Sequence, residues 1–278
     1  MVSGMFLLAL FAGMVGTSLV SAVIGVRDEQ FRMSGYIGHI VILGYDRGSE
    51  MLLDTIDQEM TAHTVEIVIL AGTERPLAVP PRFAWVQGDP TKESELEKVR
   101  LQHANKAIVV GSREDAPQKA DAVTILTLFT VRSYMDKLGR GDKRTVPLYV
   151  VAEILDQENV GHASAAGADE VIETNRLGFS LIAHSISVPG SGTIMSMVAS
   201  SGSQSLYVGP WSPPADGPQP VCFEEWQHEV KVATGALVIG VRDDQGRDML
   251  NPAATLAVAP GAGLIYLAPG PVLDEAVA

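Results

Sequence analysis

HIVILGYDRGSEML, residues 39–52, is a short β-branched run that closes on a glycine, turns, and opens into a helical pattern. An apolar run this short, without polar alternation, suits a strand buried on both faces, which is the habit of parallel sheets. The same grammar recurs downstream. VEIVIL (65–70), FAWVQG (83–88), AIVVG (107–111), LYVVAE (148–153) and DEVIE (169–173) read as five more buried strands. Helical stretches separate them at 51–60, with apolar residues at 52, 53, 56 and 60, and at 92–102, 120–138 and 159–166. Parallel neighbours need long crossovers, and right-handed crossovers place helices on both faces. The alternation therefore predicts an α/β fold built on a doubly wound parallel sheet.

The turn between the first strand and its helix is where a dinucleotide-binding sheet keeps its phosphate loop. Gly44, Asp46 and Ser49 occupy the three glycine positions of GxGxxG. The loop residues Gly44, Tyr45, Asp46, Arg47, Gly48 and Ser49 are candidate ligand contacts, as are Gly72, Glu74, Gly88 and Asp89 at the ends of the next two strands. Asp46 puts a negative side chain where phosphates would lie. Gly72 stands near the place of the usual ribose-binding acid, with Glu74 two residues later. The reading is a loop that keeps its turn and has lost or changed its ligand: NAD(H) or another nucleotide remains a candidate cofactor, with NAD(H) expected to bind weakly or not at all. After the fifth strand, AEILDQEN gathers Glu153, Asp156 and Glu158. Glu153 and Asp156 are candidate oxygen ligands for a divalent cation such as Ca²⁺, against the alternative of a solvated acidic rim. GxxxxGK[ST], GxSxG and HExxH are absent from the sequence, and the six histidines (39, 63, 103, 162, 184 and 228) are scattered. No catalytic residue is nominated, and the expectation is a protein that is not an enzyme.

With 33 acids against 20 bases the chain carries a net charge of -13, which argues against a nucleic-acid partner. Cys222 is the sole cysteine and cannot close an intrachain disulfide, consistent with a cytosolic body. Residues 5–26, MFLLALFAGMVGTSLVSAVIGV, hold no charged side chain over 22 positions, enough for a transmembrane helix. A secretory signal or a buried soluble helix are the alternatives. Ala9, Gly13, Thr17, Ser21 and Gly25 form a small-residue stripe suited to close helix packing. Arg27 and Arg32 follow the span and place the main domain in the cytoplasm. The alternation stops near Val188-Pro189-Gly190-Ser191-Gly192, and GPWSPPADGPQP (209–220) reads as part of a boundary region. EVKVATGALVIGVRD (229–243), a DQG turn at 244–246 and TLAVAPGAGLIYLAPG (255–270) suggest a small β-rich module. The expected organisation is a membrane helix and connector over 1–35, the parallel-sheet domain over 36–190, and a small C-terminal α+β module over 191–278.

HIVILG, GDPTKESELEKV (88–99), AIVVGS (107–112), VVAEILDQENV (150–160) and AGADEVIE (166–173) together resemble the Rossmann-like RCK domain, the regulator of K⁺ conductance also called TrkA-N, over residues 38–190. The span at 5–26 followed by RDEQFRMSGYIGHIVILG, and the tail segment ALVIGVRDDQGRDMLNPAATLAV with Asn251-Pro252, are similar to channels of the CASTOR/POLLUX type. The resemblance implies a homo-oligomeric ring beneath a membrane pore, in which ligand binding pulls on pore-lining helices. The chain shows no filter sequence such as TVGYG, so the pore-forming segments are expected from the same gene product or a separate subunit. Calcium-gated relatives carry an acid two residues after the one matching Glu153, where this chain has Leu155. The implied function is a cytoplasmic ligand-sensing gating domain of a potassium or related cation channel. The rival is a soluble nucleotide-binding regulatory subunit of a Trk-type potassium transporter.

Overall fold

A computed structural model describes residues 36–46, 48–59, 65–139, 147–199, 204–210, 221–259 and 262–273. Among these, residues 36–53 and 65–175 make one compact unit, and 54–59 with 176–273 make another.

The first unit is a parallel sheet of six strands: β1 (Ile40–Leu43), β2 (Ile67–Ala71), β3 (Ala84–Gln87), β4 (Lys106–Val109), β5 (Tyr149–Ile154) and β6 (Glu170–Glu173). Their order is β3-β2-β1-β4-β5-β6, with Ile40 opposite both Ile67 and Lys106. Helix α1 (Ser49–Glu59) follows β1, and α2 (Glu93–Lys98) leads the chain from β3 back past β1 to β4. Helices α3 (Pro117–Gly139) and α4 (Val160–Ala165) then carry it outward to β5 and β6. The reversal puts a topological switch point between β1 and β4, where sheets of this kind open a crevice beyond the strand ends.

The strand period of two sorts the side chains between faces. Val41, Leu43, Val68, Leu70, Ala107, Val109, Val150, Ala152 and Ile154 enter one cluster with Leu96, Val99, Leu128 and Val131 from the α2–α3 side. Each fully buried Val or Leu contributes about 1.5–3 kcal/mol of transfer free energy. On the alternate register Ile108, Val151 and Ile172 are only half-buried. The sequence motifs serve this frame. In AGAD, Gly167 has φ +102, and Arg132 crosses its face to donate to the Gly167 carbonyl at 2.6 Å, the Leu148 carbonyl at 3.0 Å and Asp169 Oδ2 at 2.7 Å. His39 is a core residue, with Nε2 on the Val99 carbonyl at 2.9 Å.

The second unit includes most of α5 (Thr174–Ser187), then α6 (Ser191–Ala199), β7 (Ser205–Pro210), α7 (Phe223–Thr234), β8 (Leu237–Arg242), β9 (Asp248–Leu250) and β10 (Gly263–Ala268). Its strands form an antiparallel sheet in the order β7-β10-β8-β9. Phe223, Trp226, Val230, Val238, Leu264 and Tyr266 fill its core.

Two expectations change here. The Ser- and Gly-rich stretch after Val188 is not all connector: Pro189-Gly190 interrupts, with φ +90 at Gly190, yet residues 191–199 are helical and 205–210 are a strand. EVKVAT (229–234) ends a helix instead of opening a strand, because Trp226 and Val230 repeat at helical spacing on the core side and Gly235, φ +79, caps the end. Among the described residues no helix is long and apolar enough to cross a membrane. The segment 5–26 lies outside the described residues, as do 211–220.

Candidate functional site

Gly44 closes β1 with φ +96, and a Cβ there would run into the Val110 carbonyl oxygen, so the turns after β1 and β4 approach at a point only glycine permits. Asp46 caps α1. Its Oδ1 accepts from Ser49 N at 3.2 Å and from Ser49 Oγ at 3.4 Å, and Ser49 Oγ accepts from Asp46 N at 3.2 Å. Its Oδ2 accepts from the Arg113 backbone N–H. The carboxylate thus satisfies the start of its own helix and ties the β1 turn to the β4 turn. Tyr45 meets Trp85 edge-on at 5.0 Å. Arg47 lies outside the described residues.

Beside this junction lies a cleft of about 230 Å³. Its floor is apolar: Ile108 and Val110 from the end of β4, Val151 from β5, Ile172 from β6 and Leu52 from α1. Gly48 and Ser49 form one wall, where a Cβ on Gly48 would press on Arg113 Cδ at 2.9 Å. Arg113, Glu153 and Thr174 supply the polar head. Arg113 Nη2 donates to Glu153 Oε1 at 2.5 Å, and Thr174 Oγ1 donates to the same oxygen at 2.9 Å. The Glu153 side chain is only 10% exposed while that of Arg113 is 52% exposed, so the acid is sunk and its counter-ion faces the opening. A carboxylate this deep needs such partners, since burying a charge without compensation is strongly unfavourable.

Of the residues nominated from sequence, Gly48, Ser49 and Glu153 line the cleft, and Gly44 and Asp46 shape the turn beside it. Gly72, Glu74, Gly88, Asp89 and Asp156 are not among its lining residues. Gly88 lies close under the Glu95 carboxylate, which a Cβ there would push aside. Asp89 accepts from Thr91 N at 3.0 Å and Thr91 Oγ1 at 2.6 Å, and these bonds, the Thr91 hydroxyl first, hold its carboxyl below the ordinary aspartate value. GDPT is therefore a turn that launches α2. Asp156 accepts from Glu158 N at 3.1 Å and from Gln118 Nε2 at 3.2 Å.

These partners bear on the cation expectation. A hard divalent ion gathers six or more oxygens, whereas Glu153 Oε1 is engaged by a guanidinium and a hydroxyl, and the two oxygens of Asp156 by an amide N–H and a carboxamide. Among the described residues no group of three or more His, Cys, Asp or Glu could hold a metal. The residues present do not fit the ion.

Sequence reasoning missed Arg113, Thr174 and Asp121. Asp121 is fully buried on α3, accepting from Leu155 N at 2.9 Å, Asp156 N at 3.0 Å and Asn159 Nδ2 at 2.8 Å. Its signal was an acid between Ala120 and Thr124 on the inward face of a helix. That of Arg113 was a base four residues beyond β4, at the switch point.

Residues 36–150 match the family model described as the calcium-activated potassium channel slowpoke-like RCK domain. Over this segment the chain is similar to RCK domains. The calcium-gated potassium channel TvoK of Thermoplasma volcanium is 34% identical over 109 residues, which cover 38% of this chain and 28% of the relative. A Bacillus subtilis protein named as a potassium channel, YugO, is 24% identical over 137 residues, covering 49% of this chain and 38% of its own. The chain thus spans about a third of the length of these relatives. The human SLO3 gating ring shares the fold with a TM-score of 0.62 at 14% identity, over 84% of this chain and 44% of that one.

Proposed function

We propose that the chain is a ligand-sensing, cytoplasm-facing gating part of a potassium or related cation channel, and not an enzyme. The observation that carries this reading is a six-stranded parallel sheet, similar to RCK domains over residues 36–150, with a cleft at its switch point headed by the sunken Glu153 carboxylate and its half-exposed partner Arg113. A ligand moves such a gate only by as much as its affinity differs between the two conformations. In this reading residues 5–26 span the membrane, the domain boundaries fall near 36 and 190, and the whole protein is of the CASTOR/POLLUX type.

Assembly as a homo-oligomeric ring is supported by surfaces that a lone chain leaves wet. Helices α5 and α6 bury no residue, and Leu177, Phe179, Ile182, Ile186, Ile194 and Met197 are exposed along them. Val123, Leu126 and Phe129 form a second exposed stripe on α3. Exposed apolar side chains repeated along a helix suit contact with a second copy of the chain.

The test is electrical. Patch recordings are made from membranes carrying the channel assembly that contains this chain, with and without residues 36–278. Removal of the domain is expected to change open probability at least ten-fold at constant unitary conductance. A potassium conductance indifferent to the domain would contradict the proposal.

A further inference from the structure

Glu153 Oε1 receives both a full positive charge, from Arg113 Nη2 at 2.5 Å, and the Thr174 hydroxyl at 2.9 Å. A Ca²⁺ ion bound there would sit 2.3–2.6 Å from the oxygen, in the space the guanidinium holds. Among the described residues no group of three or more His, Cys, Asp or Glu could hold a metal ion here. Asp46 is spent on Ser49 and the Arg113 backbone, Asp156 on Glu158 and Gln118, Asp121 on three donors of the β5–α4 segment, and Asp115 on Lys119 at 2.6 Å. We propose that Arg113 is a built-in counter-ion that takes the place of a divalent cation at Glu153, closes this carboxylate to Ca²⁺, and through the Glu153–Thr174 bond fixes the first turn of α5.

Three elements meet at one oxygen: the β4–α3 turn through Arg113, β5 through Glu153 and the start of α5 through Thr174. Thr174 opens α5, and the first unit ends one residue later, at Asn175. The guanidinium is half-exposed at the head of the cleft, so whatever enters there meets it before it meets Glu153. An entrant that drew Arg113 away would strand a sunken carboxylate, and the Thr174 hydroxyl would be left as its remaining partner. Arg113 is accordingly a positioning residue for α5 and the determinant of which charge the cleft admits. The purpose of the device rests on the gating reading; its chemistry does not.

Hydrogen exchange of the full chain tests it, read on peptides covering 170–187, with CaCl₂ titrated against KCl at constant ionic strength. Arg113→Gln, Glu153→Gln and Thr174→Val are each expected to speed exchange in the first turn of α5 by ten-fold or more. The double variant R113Q/E153Q should be no faster than the faster single, since all act on one contact. Calcium should leave the wild-type peptides unchanged. Calcium-dependent protection that E153Q abolishes would overturn the proposal, and so would unchanged exchange in R113Q. Should R113Q fail to fold, T174V reads the same oxygen from its other side, and unchanged exchange there overturns the proposal equally. The readout is independent of any pore, so failure of the latch and failure of the gating reading are seen separately.

Discussion

Replacing Asp121 by alanine removes the one acceptor shared by three donors on the segment that follows β5. Leu155 N is buried and would be stranded, while Asp156 N and Asn159 Nδ2 are part-buried and can recruit water. A buried donor left without a partner costs about 1–3 kcal/mol, and hydrogen bonds to a charged group contribute about 1.5–3 kcal/mol each. The carboxylate is itself fully buried, so deleting it also relieves a desolvation penalty that offsets part of the loss. The balance is a destabilisation of about 2–4 kcal/mol for D121A. D121N keeps one acceptor oxygen and should cost about half as much. At roughly 2–4 °C per kcal/mol for a chain of this size, the melting temperature of D121A should fall by about 5–15 °C. Thermal melting of the full chain measures the total, and hydrogen exchange over 150–160 localises it. A D121A protein within about 0.5 kcal/mol of wild type, with unchanged exchange at Leu155 and Asp156, would refute the assignment of Asp121 as the clip on this segment.

Gly44→Ala should destabilise by about 2–4 kcal/mol, because a positive-φ position and a Cβ driven into the Val110 carbonyl act together; a melt unchanged from wild type would disprove the close approach. NADH should show no micromolar binding by calorimetry, since Asp46 both caps α1 and carries negative charge into the phosphate position; a measured dissociation constant in that range would be the contrary result. In the β8–β9 hairpin, the Arg247 backbone N–H lowers the carboxyl of Asp243 and the Arg242 guanidinium lowers that of Asp248. A depressed carboxylate stabilises fully above its unfolded value of about 3.9 and loses that contribution as pH falls through the folded one. Exchange in this hairpin, corrected for intrinsic rate, should therefore stay flat from pH 7 to pH 5 and rise only below about 3.9; loosening already at pH 5 would contradict it.

The sheet was legible because its signal is the burial itself. IVIL at 40–43 and IVILA at 67–71 are continuous apolar runs since both faces are covered, and no other local structure explains them so simply. The helix at 223–234 was invisible by contrast: Phe223, Trp226 and Val230 define its inward face, but the β-branched residues in its second half gave it the look of a strand. The cleft was half legible. Glu153 stood out as an acid at the end of a buried strand, whereas its partners Arg113 and Thr174 lie 40 and 21 residues away and only the fold brings them to it. Asp46 was read from the phosphate-loop template as a source of repulsion; its role as a cap depends on Ser49 three residues on, a spacing that the sequence did display.

We propose that this domain gates a pore through the Arg113–Glu153 cleft. Single-channel recording of the assembly bearing Arg113→Gln tests it most directly: the account predicts an altered open probability at unchanged unitary conductance. An open probability equal to wild type, or a changed unitary conductance, would contradict it.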